Sequence, residues 1–160
     1  MHAIRRFALQ GRKVTHGIDL LSPVLSLAIR LYVANVFFKS ALTKLQSWGA
    51  TLALFEYEYA VPLLSPQAAA YLGTAVELVA PILLVLGLGG RLAAVVLFAF
   101  NIVAVISYPD ISPAGVKDHV LWGWLLAVVF VYGPGKLSVD HLVTRWAGRG
   151  ANVERSVPTD

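Results

Sequence analysis

VLSLAIRLYVANVFFKSALTKL, from Val24 to Leu45, decides how this chain is read. At about 1.5 Å of rise per residue a helix of this length crosses the roughly 30 Å hydrocarbon core of a bilayer. Yet the stretch carries Arg30, Asn35, Lys39 and Lys44. On a soluble helix these residues are an ordinary wet face. In a bilayer each one needs a partner, a route to water or a task.

The rest of the chain settles the choice of solvent. Of 160 residues, 58% are hydrophobic and 14% charged, far from the balance of a soluble domain. Three further apolar runs cover Ala68–Leu88, Leu92–Tyr108 and Pro113–Tyr132. The last reaches spanning length because Ser112 reads as an N-cap and Pro113 as the first helical residue, where proline is favoured. The expected fold is therefore all-α: an integral membrane four-helix bundle. A soluble helical bundle does not account for four runs of this length.

The net charge of +4 does not form a nucleic-acid footprint. Arg5, Arg6, Arg12 and Lys13 precede the first span, Arg91 lies between the second and third, and Lys136, Arg145, Arg149 and Arg155 follow the fourth. The other two loops hold Glu56, Glu58, Asp110 and Asp118, with Lys117 as their clear cation. By the positive-inside rule both termini are expected in the cytoplasm, with lipid as the solvent and no nucleic-acid partner. No cleavable signal peptide is read at the N-terminus. The chain has no cysteine, which excludes a thiol relay, thiolate metal sites and iron–sulfur clusters within it.

Four segments follow. Residues 1–21 read as a basic cytoplasmic tail, 22–135 as the four-span membrane domain, 136–147 as an amphipathic cytoplasmic helix and 148–160 as a disordered tail. Within the membrane domain, Trp48, Leu52, Phe55 and Tyr59 recur at helical spacing and predict a short interfacial helix in the first outer loop. The alternation FEYEY also fits a strand, but an isolated strand at a membrane surface leaves its edges unpaired. LGLGGR, Leu86 to Arg91, reads as a tight turn. Ser138 reads as the cap of a last helix whose Val139, Leu142, Val143 and Trp146 form one apolar stripe.

The embedded polar residues are the candidates for function. Tyr32, Asn35, Lys39 and Gln46 share one stripe of the first span, while Arg30 and Lys44 lie on roughly the opposite side. Glu77 is the acidic residue near the middle of a span; Asn101 and His119 sit in the third and fourth. Antiparallel packing places Lys39, Glu77, Asn101 and His119 at overlapping depths. The expectation is that Arg30 and Lys44 anchor the two ends of the first span, while Lys39 faces inward and pairs with Glu77. Such a cluster binds a quinone headgroup, carries protons, or simply holds helices together. His2, His16 and His141 lie on the other side of the membrane from His119 and supply no second haem ligand. Asp110, Asp118 and His119 lack diagnostic metal-ligand spacing, and no metal site is assigned.

Three motifs, in order, then form a pattern. RLYVANVFFKSALTKL resembles the first-span signature of the DoxX family, with its arginine and, fourteen residues later, its lysine. ELVAPILLVLGLGGR resembles that family's second-span glutamate, LGL turn and arginine, and GPGKLSVDHL its closing element. Where the family usually has a glycine shortly before the lysine, this chain has Ser40-Ala41. The resemblance covers about residues 25–143 and marks Arg30, Lys44, Glu77, Arg91, Gly133, Pro134, Gly135, Ser138 and Asp140. It implies a small four-span protein of the bacterial inner (plasma) membrane, described as an oxidoreductase component and associated with quinone-linked thiosulfate oxidation. Other relatives assemble with partners in oxidative or thiol stress, or occur beside copper-responsive peptide systems. Three functional readings are compatible with this: a quinone-associated subunit of a redox complex, a non-catalytic scaffold for a protein partner or a homo-oligomer, and a small-solute transporter.

Overall fold

A computed structural model describes the backbone of residues 2–154 and the side chains of residues 21–147. Its elements are helical: α1 (His2–Gln46), α2 (Trp48–Tyr57), α3 (Pro66–Leu86), α4 (Gly90–Ser107), α5 (Pro113–Tyr132) and α6 (Val139–Glu154). Four stretches are long and apolar enough to cross a membrane: Leu21–Gln46, Pro66–Leu86, Gly90–Ser107 and Pro113–Tyr132. Each packs against the next, α1 on α3, α3 on α4 and α4 on α5, and α5 closes the ring on α1. The chain is a four-helix membrane bundle.

Local chemistry sets the ends of these helices. Ser65 and Ser112 each accept a hydrogen bond from the amide three residues on, Ala68 at 3.3 Å and Gly115 at 3.1 Å. Pro66 and Pro113 occupy the first helical position in each case, where the missing amide hydrogen costs nothing. Gly87, at φ 63°, closes α3 in the left-handed conformation, which an L side chain adopts only at a cost. FEYEY falls at the C-terminal end of α2 and beyond it, so the interfacial segment is helix and not strand. The α6 backbone is helical to Glu154, past Gly148, where disorder is expected from composition. Gly148 and Gly150 weaken a helix without ending it, and no proline intervenes before Pro158. Residues 155–160 lie outside the described residues.

The core is a layer of Val33, Phe37, Leu84, Leu97, Leu126 and Val129. Ala34, Ala80, Ala93 and Ala94 are also buried in it, and such small residues let neighbouring helices approach closely. In lipid, that packing and interhelical hydrogen bonds hold a bundle together, because lipid tails are as apolar as leucine. A second, smaller cluster forms where Phe55 of α2 packs on Ala69 and Ala70 of α3. It seats α2 across one end of the bundle, next to the polar residues described below.

Candidate functional site

The inward face of α1 is the Arg30–Lys44 stripe. Arg30, Val33, Ala34, Phe37 and Ala41 are all buried on it, whereas Tyr32, Asn35 and Lys39 are exposed on the outside of the bundle. The expected Lys39–Glu77 pair is therefore replaced by Lys44–Glu77, with Nζ 2.6 Å from Oε2. The reason is rotational. Positions 30 and 44 are fourteen residues apart, almost four full turns at about 3.6 residues per turn, so one face buries both. That face also carries the alanines that permit close packing.

Three side chains close a small triangle. Lys44 Nζ donates to Ser40 Oγ at 2.9 Å, and Ser40 Oγ donates to Glu77 Oε1 at 3.0 Å. Thr51 Oγ1 donates to the Lys44 carbonyl at 2.7 Å, tying α2 to the end of α1. Both oxygens of the Glu77 carboxylate are thus engaged, one by a charge-assisted bond. Ser40 enters the site from the position where the sequence departs from the family pattern. Its signal was its place four residues before Lys44, one turn below it on the same face.

The triangle forms one wall of a cavity of about 260 Å³ between α1, α2, α3, α4 and α5. Apolar and aromatic side chains, Phe55, Val76, Phe100 and Val103 among them, make most of the remaining wall. Tyr59 and Ser107 also line it, and sequence reasoning did not select either for the site. The Ala60 amide donates to the Ser107 carbonyl at 2.8 Å, which pins the segment after α2 to the end of α4 and places Tyr59 over the cavity. The Tyr59 ring stands edge-on to Phe55 and Tyr108. Burial, then the neighbouring Tyr108, Glu77 and Glu58, push its phenol above the usual range, so it stays a protonated donor. Ser107 is 3% exposed and its Oγ has no partner among the described residues. A buried hydroxyl left this way is a group that a ligand can satisfy.

His119 reaches the same cavity from α5. Asn101 holds it from behind: Asn101 Nδ2 donates to the His119 carbonyl at 2.9 Å, and Asn101 Oδ1 lies 2.7 Å from His119 Nδ1. A carbonyl only accepts, which orients the amide and leaves Oδ1 as the acceptor facing the ring. His119 Nδ1 then carries a proton, and in the neutral ring Nε2 keeps its lone pair. Of the expected cluster, Glu77, Asn101 and His119 are brought together, Lys44 takes the place of Lys39, and Tyr32, Asn35 and Lys39 are not part of it.

The remaining motif residues gather at the opposite end of the bundle. Arg30 is 0% exposed and does not reach out as an end anchor. Its Nη1 donates to the carbonyls of Val85 at 2.6 Å and Leu84 at 3.3 Å, and its Nη2 to that of Leu137 at 2.5 Å. Carbonyls in the last turn of α3 have acceptor capacity that the helix leaves unused and carry the negative end of its dipole, so they offset the cost of burying the guanidinium. Asp140 accepts from the Gly89 and Gly90 amides at 2.8 and 3.0 Å, capping α4 from another element. Arg91 donates to the Val131 carbonyl, Ser138 to the Gly135 carbonyl and Ser26 to the Pro134 carbonyl. Pro134 packs against Gly90, and Gly133 lies beside the Arg91 side chain. This end fastens the bundle through hydrogen bonds to backbone.

The sequence model of the DoxX family matches residues 25–109, just over half of the chain. The chain belongs to the DoxX family. The match covers the first three spans of this DoxX protein and both partners of the Lys44–Glu77 pair, while the closing GPG element lies beyond it. Comparisons with curated proteins and with solved structures return no match.

Proposed function

We propose that this DoxX protein binds a quinone headgroup in the Lys44–Glu77 cavity, as a membrane subunit of a redox-linked complex in the bacterial inner membrane. The observation that carries the reading is the composition of the cavity wall. Lys44, Tyr59 and Ser107 present donors and His119 an acceptor, and the other surfaces are largely aromatic or aliphatic. A flat ring with oxygen substituents matches that distribution. At about 260 Å³ the cavity is small beside the range of about 300–1,000 Å³ usual for ligand pockets, so it takes a headgroup and leaves an isoprenoid chain outside. With no cysteine in the chain and, among the described residues, no second histidine lining the cavity, the electrons go to a partner protein and the DoxX chain supplies binding.

A permeation path has less support. The polar groups form two clusters at opposite ends, and the packed layer of Val33, Phe37, Leu84, Leu97 and Leu126 lies in the bundle core. The test is titration of the purified full chain in nanodiscs with ubiquinone-1, followed by tryptophan fluorescence, for which Trp122 beside His119 is a reporter. Saturable quenching that weakens at least tenfold in Lys44→Ala supports the reading. Equal quenching in wild type and Lys44→Ala removes this cavity as the site.

A further inference from the structure

The outward face of α1 poses a problem that the bundle itself does not solve. Asn35 is exposed there, fourteen residues after Leu21 and eleven before Gln46 in the span. At about 1.5 Å per residue its amide lies some 16 Å from the nearer end of the helix, and its side chain is too short to reach water. It has no hydrogen-bond partner among the described residues. Lys39 differs: it is about one turn nearer the end, and its long stem lets the ammonium reach the headgroups.

Around Asn35 the outward residues Ala28, Leu31, Asn35, Phe38, Leu42 and Leu45 are spaced alternately by three and four. All are exposed except the half-buried Phe38. Any lipid-facing helix shows exposed apolar residues at that spacing. A single amide at the centre of the seam is what sets this one apart, because a lone asparagine in such a seam specifies register and partner number in paired helices. Beside the seam, between α1 and α3, lies an apolar trough of about 290 Å³ whose walls include Leu31, Phe38, Pro81 and Ile82.

We propose that this face of α1 is a dimer interface occupied by a second copy of the chain, with the two α1 helices parallel and Asn35 facing Asn35 across the two-fold axis. The occupant follows from chemistry. A primary amide both donates and accepts, so it is complementary to itself, and two copies inserted the same way bring it to the same depth. Tyr32 and Lys39 flank the seam one position on from Leu31 and Phe38, which puts the two Lys39 side chains on opposite sides of the pair and avoids like-charge contact. The partner's seam side chains enter the trough, as knobs enter holes in coiled coils. This interface lies on the opposite side of α1 from Lys44, and the inference does not rest on the quinone reading.

The chain has no cysteine, so a single introduced thiol reports the contact. Leu31→Cys and Leu42→Cys, in the full chain in native membranes, are expected to form disulfide-linked dimers of twice the chain mass on mild oxidation, and Ile106→Cys on α4 is not. In vesicles of phosphatidylethanolamine and phosphatidylglycerol, energy transfer between labelled chains diluted with lipid gives the association constant. Asn35→Leu is expected to lower it about tenfold, whereas Asn35→Gln, which keeps the amide, retains most of it. Asn35 is exposed in the single chain, so neither variant disturbs the bundle core. A chain that stays monomeric at every dilution, cross-linking as strong at Ile106 as at Leu31, an adduct containing a different protein, or an unchanged constant in Asn35→Leu overturns the proposal.

Discussion

Two cations on one face of one helix have separate tasks. Lys44 answers the charge of Glu77, and Arg30 answers carbonyls at the end of α3. Removing one side of a buried ion pair leaves the other uncompensated, at a cost of about 3–5 kcal/mol in globular proteins. Glu77→Gln is therefore expected to lower the thermal midpoint in detergent strongly, and Lys39→Gln to leave it unchanged within about 0.5 kcal/mol. Exchanging the pair, as Lys44→Glu with Glu77→Lys, should recover part of the loss; Lys39→Glu with Glu77→Lys should recover none. Arg30→Lys tests the other cation. A point charge does not reproduce the planar fork that reaches three carbonyls. The variant is expected to unfold earlier by about 1.5–3 kcal/mol, the scale of a lost hydrogen bond to a charged group.

Between elements, the decisive contact is Asp140 on the first amides of α4. The Asp140 amide also donates to the Gly87 carbonyl at 3.1 Å, so the start of α6 and the α3–α4 turn hold each other. Loss of a helix cap costs about 0.5–2 kcal/mol. Asp140→Ala is expected to destabilise by that amount and to speed hydrogen exchange at Gly89 and Gly90 selectively; Asp140→Asn, which keeps one acceptor, should do less. Uniform acceleration along the chain would mean that the carboxylate does not act as a local cap. Gly87→Ala is expected to be worse than either. Its φ of 63° strains any L side chain, and a Cβ there meets Ser138 and the Arg30 guanidinium.

For the whole molecule, four crossings put the segments before α1's span and after α5 on the same side of the bilayer. From the charge distribution we propose that this side is the cytoplasm, as the positive-inside rule predicts. Alkaline phosphatase fused within residues 109–113 should be active, and the same enzyme fused after residue 160 inactive; the reverse pattern would invert the topology. The apolar face of α6, with Leu142, Val143 and Trp146 exposed, would then lie against the inner leaflet, where Arg145 meets anionic headgroups. The bundle thus has a fastened end and an open one: hydrogen bonds to backbone at the arginine end, and a cavity at the lysine end.

The number of spans, the cap at Ser112, the turn at Gly87–Gly90 and the helical nature of α2 were legible in the sequence. They depend on residues within one turn of each other or on run length, which a linear string records. The polar candidates were also legible as two opposed stripes on α1. Which stripe faces inward was not, because that choice depends on what α3 and the Leu137 backbone offer. Arg30 is buried since the carbonyls of Leu84, Val85 and Leu137 converge on it, and those residues are more than fifty positions away. Ser40, Tyr59 and Ser107 became site residues for the same reason. Each is an ordinary residue locally, and only the packing of α1, α2 and α4 around one cavity brings their hydroxyls together.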